Sequence, residues 1–288
     1  MTRHLYRCPL RWADLDLLGH VNNVTYVDYL QEARVDMMRV HPPAAGGEAL
    51  AEGVVVVRHE VQYVAPLVFR MAPVSVEIWV TEIRAASFTL AYEVFDDTED
   101  GRRVYLRARS VLTPYLFESE RPRRLAPEER AVLQRFLDPD PPAPLPATLV
   151  VGEDVPPGLR HVYSCAVRFS DVDAYRHVNN VKYFEYFQEA RIAMLSSLGR
   201  SGGGPVDALG VVVAQIDVDY RRPIFFREEP YAVETWVSRV GRSSFVIEGQ
   251  VLDGDEALSR SRAVVVAFDG ATQRSRELTH AEREAVGA

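Results

Sequence analysis

A chain of 288 residues, 47% hydrophobic and 26% charged, has the composition of a folded globular protein, and its length suits one large domain or two ordinary ones. A formal net charge of -8 excludes a broadly basic nucleic-acid surface, and no apolar run is long enough to cross a membrane as a helix. Two cysteines, Cys8 and Cys165, exclude a disulfide framework; with no apolar signal-peptide core after Met1, the expectation is a cytoplasmic protein without nucleic-acid or membrane partners.

In chain order, Arg3 to Trp12 alternates loosely and reads as a first strand. A dense polar stretch follows, Asp14-Leu15-Asp16-Leu17-Leu18-Gly19-His20-Val21-Asn22-Asn23. From Val21 to His41, two adjacent apolar stripes (Val24, Val27, Leu30 and Met37; Tyr26, Tyr29, Ala33 and Met37) predict a helix wrapped on a wide face. Pro42 to Gly47 ends it. Val54–Pro66, Pro73–Arg84, Ser87–Asp96 and Arg102–Phe117 read as strands, the last two joined in a hairpin across Asp96–Gly101. Ala126 to Leu137 is helical, and Pro139 to Pro146 is a stiff extended linker.

From His161 the whole order returns. Asp16 maps to Asp173, Tyr63 to Tyr220, Pro66 to Pro223, Trp79 to Trp236 and Phe88 to Phe245, each 157 residues on. The final hairpin is shorter in the second copy, so Arg107 meets Arg260 and Leu125 meets Leu278 at an offset of 153. A register held through five elements defines one domain duplicated in tandem: 1–138, a Pro-rich linker 139–159, and 160–288. The element order excludes alternating βαβ units. It fits an α+β unit in which an antiparallel sheet of about five strands curls around one long helix. Such a sheet keeps an open edge, so the two copies are expected to pair edge to edge as a dimer within one chain, with further homo-oligomers open.

The pattern Asp-x-Asp-x-x-x-His-Val-Asn-Asn-x-x-Tyr, with Glu32 and Arg34 (Glu189 and Arg191) in the following helix, resembles the hotdog-fold thioesterases in both halves. Within them it is similar to the branch of 4-hydroxybenzoyl-CoA and related acyl-CoA thioesterases, and to the plant-type acyl-ACP thioesterases, which are tandem hotdogs. The resemblance implies acyl-thioester hydrolysis without a cofactor, on acyl-CoA or acyl-ACP. It implies Asp16 and Asp173 as catalytic carboxylates, and backbone N–H groups at or near Asn23 and Asn180 as oxyanion donors. It brings in His20 and His177 through the acyl-ACP branch. That branch carries Asn two residues after its Asp, where this chain has Leu18 and Tyr175. Gly19 before the first His is replaced by Arg176 in the second copy, which predicts that Asp16→Asn costs more activity than Asp173→Asn.

Read as chemistry, a carboxylate beside a helix start can attack a thioester carbonyl or deprotonate a water, while unpaired N–H groups and the helix dipole suit the oxyanion. Asp14 and Asp171 are read as loop braces, and Asn22 or Asn23 as a helix cap. His20 and His177 either take part or tie the loop down. Tyr26 and Tyr183 are read as pocket wall or core. Glu32, Arg34 and their counterparts are read as an ion network on the helix surface or at an interface. Arg58, Arg84, Arg221, Arg222, Arg239 and Arg242 are candidates for carrier phosphates, Arg58, Arg221 and Arg222 foremost. The loops at Pro42–Gly47 and Gly202–Gly204 are expected to border the acyl pocket. No His-x-x-x-His, Cys-x-x-Cys or Gly-x-Ser-x-Gly spacing suggests a metal site or a serine nucleophile. The remaining alternative from another class is a non-catalytic acyl-CoA binding or sensing protein, which would have no use for a carboxylate kept in both copies.

Overall fold

The computed structural model describes residues 2–42, 53–138, 160–201, 210–272 and 274–287. The linker at 139–159, residues 43–47 of the first expected pocket loop and the Gly202–Gly204 run therefore lie outside the described residues. The chain divides into two compact units, Met1–Pro146 and Ala147–Ala288.

In the first unit, β1 (His4–Cys8) leads through a one-turn 3-10 segment (Trp12–Asp14) and a loop to α1 (Thr25–Val40). Then come β2 (Val54–Tyr63), β3 (Val74–Ile83), β4 (Phe88–Thr98), β5 (Gly101–Leu116), the two-residue β6 (Arg121–Pro122) and α2 (Pro127–Arg135). The long strands form an antiparallel sheet in the order β1-β3-β4-β5-β2. Val27, Leu30 and Ala33 of α1 are fully buried, as are Val76, Ile78, Leu90, Tyr92 and Leu106 of the sheet. The wide apolar face predicted for the helix thus exists, and the sheet covers it. Pro127 opens α2 where its missing N–H costs nothing, and Glu129 reaches back to the Ala126 N–H at 2.8 Å. Beyond α2, the chain runs beside a bulge in β3, where the Val80 N–H donates to the Phe136 carbonyl at 2.9 Å.

The second unit repeats this: β7 (His161–Cys165), a 3-10 turn (Phe169–Asp171), α3 (Asn180–Ser201), β8 (Val211–Tyr220), β9 (Tyr231–Val240), β10 (Ser244–Asp253), β11 (Glu256–Asp269), β12 (Arg274–Ser275) and α4 (His280–Ala285). Its sheet order is β7-β9-β10-β11-β8.

Three sequence expectations are corrected. The first strand stops at Cys8, because Pro9 cannot donate to a ladder, and Trp12 belongs to the 3-10 turn. The helix starts at Thr25, not Val21, because residues 21–24 form a bridged loop. Glu32 and Arg34 do not share a surface network. Residues two apart on a helix point to different faces, so Glu32 and Glu189 are exposed while Arg34 and Arg191 are buried. Both cysteines are free and buried, and burial pushes their thiols up to about 12.

Candidate active site

Each motif loop is built on its first carboxylate. Asp14 Oδ2 accepts the Arg11 N–H at 2.7 Å, which closes the 3-10 turn, and the Tyr29 hydroxyl at 2.5 Å. The Asp14 carbonyl accepts the Asn22 N–H at 2.8 Å. One residue thus ties the turn, the loop and α1 together. In the second copy Asp171 does the same with Arg168 (2.9 Å), Tyr186 (2.7 Å) and Asn179 (2.9 Å). Burial, then the bond to the carboxylate, drives both phenols far above the ordinary tyrosine range, so they serve here as fixed donors.

The second carboxylate sits in the turn so braced. Asp16 Oδ1 accepts the N–H groups of Leu18 at 2.8 Å and His20 at 3.3 Å, while its own N–H and carbonyl engage His20 (2.8 Å) and Gly19 (3.1 Å). The half-buried carboxylate is fixed through one oxygen, and Oδ2 has no partner among the described residues. Asp173 repeats the arrangement, with Tyr175 N–H on Oδ1 at 2.9 Å, its N–H on the His177 carbonyl at 2.9 Å and its carbonyl on Arg176 at 3.0 Å. Gly19 holds φ +75°, and Arg176 at the same place holds φ +66° with its side chain exposed. Three hydrogen bonds of the turn recur around it.

The helix start lies directly beyond. Asn179 Oδ1 accepts the Val181 N–H at 3.0 Å and caps α3, while Asn22 Oδ1 accepts the Val24 N–H at 2.9 Å in the loop just ahead of α1. The carbonyl of the second Asn is pinned from the sheet, Asn23 by the Tyr63 hydroxyl at 2.7 Å and Asn180 by that of Tyr220 at 2.8 Å. This orients the following peptide units. The Asn23 backbone N–H makes no hydrogen bond among the described residues, and its side-chain Nδ2 is buried without a partner.

A strap between the second and third strands of each unit crosses the loop. The Val21 N–H donates to the Leu67 carbonyl at 2.8 Å, and His20 forms a β-bridge with Val68. In the second copy Val178 donates to Ile224 at 2.9 Å, and the His177 ring meets Phe225 edge-on at 5.1 Å. The Tyr183 hydroxyl serves this strap, accepting the backbone N–H of Ile224 at 3.0 Å. Both tyrosine rings, Tyr26 and Tyr183, are buried. The strap is anchored at its far end by Arg70 on Asp96 and Arg227 on Asp253.

Arg58 stands within β2, its Nε on Glu60 at 3.0 Å, and not on this rim. Arg84 and Arg242 pair with Glu82 and Glu277 at the turns. Arg221 and Arg222 do lie on the strap, both exposed, Arg222 with Glu256 at 3.1 Å. Missed from sequence were the aromatic pairs of the rim, Trp12 with Phe69 (5.4 Å) and Phe169 with Phe226 (6.2 Å). Their recurrence at a separation of 157 was the available signal. Among the described residues, no three His, Cys, Asp or Glu side chains are grouped to hold a metal ion.

A long helix wrapped by an antiparallel sheet, twice over, with a braced Asp loop at each helix start, defines a tandem hotdog protein. The profile of the thioesterase-like superfamily matches residues 10–147 and again 167–285, and the chain belongs to that family of enzymes. The Bacillus subtilis protein YsmA is 32% identical over 102 residues, 35% of this chain and 67% of its own length. Among solved structures, the acyl-ACP thioesterase from Bacteroides thetaiotaomicron superposes with a TM-score of 0.66 at 16% identity, over 91% of this chain and 97% of its own. The 12:0-ACP thioesterase from Umbellularia californica does so with 0.67 at 16% identity, over 91% and 95%. At that identity the two share the fold.

Proposed function

We propose that the chain hydrolyses acyl-CoA thioesters to the free acid and coenzyme A. The observation that carries this reading is the repeated placement of a carboxylate, held through one oxygen, beside the start of a wrapped helix. Asp16 and Asp173 activate a water or attack the carbonyl, a role worth about 10²–10⁴-fold in rate for a positioned base. The N–H groups at Asn23 and Asn180 receive the developing oxyanion, where losing one donor typically costs about 10²–10³-fold. The exposed cations beside the second loop suit a phosphate-bearing carrier. His20 and His177, held through their backbone in the same turn, support the loop.

The test is release of free thiol from short, medium, long and aromatic acyl-CoAs by wild type and by the Asp16→Asn/Asp173→Asn double variant. Turnover by wild type and its loss in the double variant is the expected result; full activity without both carboxylates refutes the assignment. Tight binding without turnover on any carrier would leave an acyl-CoA sensor. A second reading, hydrolysis of acyl-ACP, is favoured by the likeness over nine-tenths of the chain to two acyl-ACP thioesterases. One acyl group presented on both carriers separates the two.

A further inference from the structure

Because the domain is duplicated, each half serves as the control for the other, and around the loops they differ in charge. At the positions of Gly19, Thr25, Val64 and Ala65, the second copy holds Arg176, Lys182, Arg221 and Arg222. The strap fixes where these sit. Ile224 lies on Val178 and Phe225 on His177, while the Arg222 carbonyl faces the Tyr183 hydroxyl at 3.5 Å in the first turn of α3. Arg176, next to His177, therefore flanks one side of the crossing, and Arg221 with Arg222 flanks the other. Lys182 is committed to Glu185 at 2.5 Å, and Arg222 is shared with the exposed Glu256. Arg176 and Arg221 have no ion-pair partner among the described residues. Glu228 and Glu229 follow at the far end of the strap, beyond Arg227.

We infer that Arg176, Arg221 and Arg222 form a phosphate-reading edge on the second copy alone, which engages the phosphate groups of a pantetheine-borne carrier. The inference rests on the reading of the loops as thioester sites and adds that the two are not interchangeable. Two unspent guanidinium forks and one shared with an exposed carboxylate match phosphate oxygens in geometry and charge. The first copy, with Gly19, Val64 and Ala65 in the same places, has no such edge. Keeping an arginine at φ +66°, where glycine is the natural occupant, fits a side chain retained for what it contacts.

The experiment transplants the first copy's residues into the second. The full chain and its Arg176→Gly/Arg221→Val/Arg222→Ala variant are titrated by calorimetry with coenzyme A, 4′-phosphopantetheine and pantetheine, at low and physiological salt. The expected result is a loss of about tenfold or more in coenzyme A affinity, with weaker salt dependence and no matching change for pantetheine. If phosphopantetheine suffers the same loss, the pantetheine phosphate is the group read; if only coenzyme A does, the nucleotide phosphates are. Affinity unchanged within about twofold, an equal loss for pantetheine, or no binding of coenzyme A by wild type would overturn the inference. Arg221→Val alone, at a site where the first copy already carries Val64, gives the same answer should the triple variant fold poorly. Coenzyme A binding that responds to the swap, in a protein that hydrolyses nothing, would sink the thioesterase reading and leave the edge standing. Hydrolysis with indifferent coenzyme A binding would do the reverse.

Discussion

The ring of Phe187 lies over Gly249 so closely that a Cβ at 249 would stand 3.1 Å from Phe187 Cδ1 and 3.2 Å from the Glu234 carbonyl. At the equivalent positions the first copy holds the opposite sizes, Leu30 and Tyr92, both fully buried. Replacing Gly249 by Ala removes some unfolded-state entropy, worth about 0.4–1 kcal/mol, but overpacking typically costs about 1–3 kcal/mol, and the neighbours here are a buried ring and a backbone oxygen. We predict a net loss of stability for Gly249→Ala, relieved when Phe187→Leu is added. A denaturant-melt double-mutant cycle checks it, and additive effects would contradict the packing argument.

His59 and Ser110 are cross-strand partners, with Nδ1 2.7 Å from Oγ and the imidazole completely buried. The second copy holds Ile216 opposite Ala263 at this position. Burial, and then the Arg34 charge, holds the His59 imidazole well below its ordinary range. In the unfolded chain it takes a proton near pH 6.5, so as pH falls below about 6.5 the unfolded state binds a proton that the native state refuses. Stability contributed above that pH is lost below it. The variant His59→Ile/Ser110→Ala should flatten the melting temperature between pH 7 and pH 5 while folding normally, since both partners leave together. An unaltered acid slope would show that other groups set it.

Much of this was legible because a duplicated pattern carries its own register. The strands, the wrapped helix and the two Asp loops all follow from local periodicity and the recurring separation of 157 residues. What escaped depends on contacts between residues far apart in the chain. Tyr63 pins the Asn23 carbonyl across 40 residues, and no local signal marks that bond. The same holds for the Tyr183 hydroxyl, read from sequence only as pocket wall or core, which accepts the Ile224 N–H from a strap about 40 residues downstream. Arg34 was misplaced for a simpler reason, since spacing of two in a helix separates faces.

The left-handed position in each loop offers a direct comparison of backbone strain. Gly19 sits at φ +75°, and a Cβ added there would have nothing within 4 Å, so Gly19→Ala meets strain and no clash. It should destabilise by about 1 kcal/mol. Arg176→Gly should stabilise the second unit by a similar amount, about 0.5–1 kcal/mol after the greater freedom of glycine in the unfolded state is subtracted. Chemical denaturation of both variants checks the signs. Stabilisation by Gly19→Ala, or a large loss from Arg176→Gly, would mean that the side chain at this site contributes packing that the turn geometry does not show.

The two carboxylates give the last prediction. From sequence, Arg176 looked like an obstruction, which favoured Asp16 as the more important of the pair. The structure weakens that ground: three hydrogen bonds of the turn recur in both copies, and the arginine side chain is exposed. With the phosphate-reading edge assigned to the second copy, an acyl-CoA gains an extra hold only there. Asp173→Asn should therefore lower kcat/KM for acyl-CoA more than Asp16→Asn, by up to about 10²-fold, and the double variant should fall furthest. On an S-acyl-pantetheine, which carries no phosphate, the two single variants should converge, because each carboxylate is held through Oδ1 by the N–H two residues on. Initial rates on both substrates decide it. A larger effect of Asp16→Asn on acyl-CoA would place the working carrier site on the first copy and reverse the assignment.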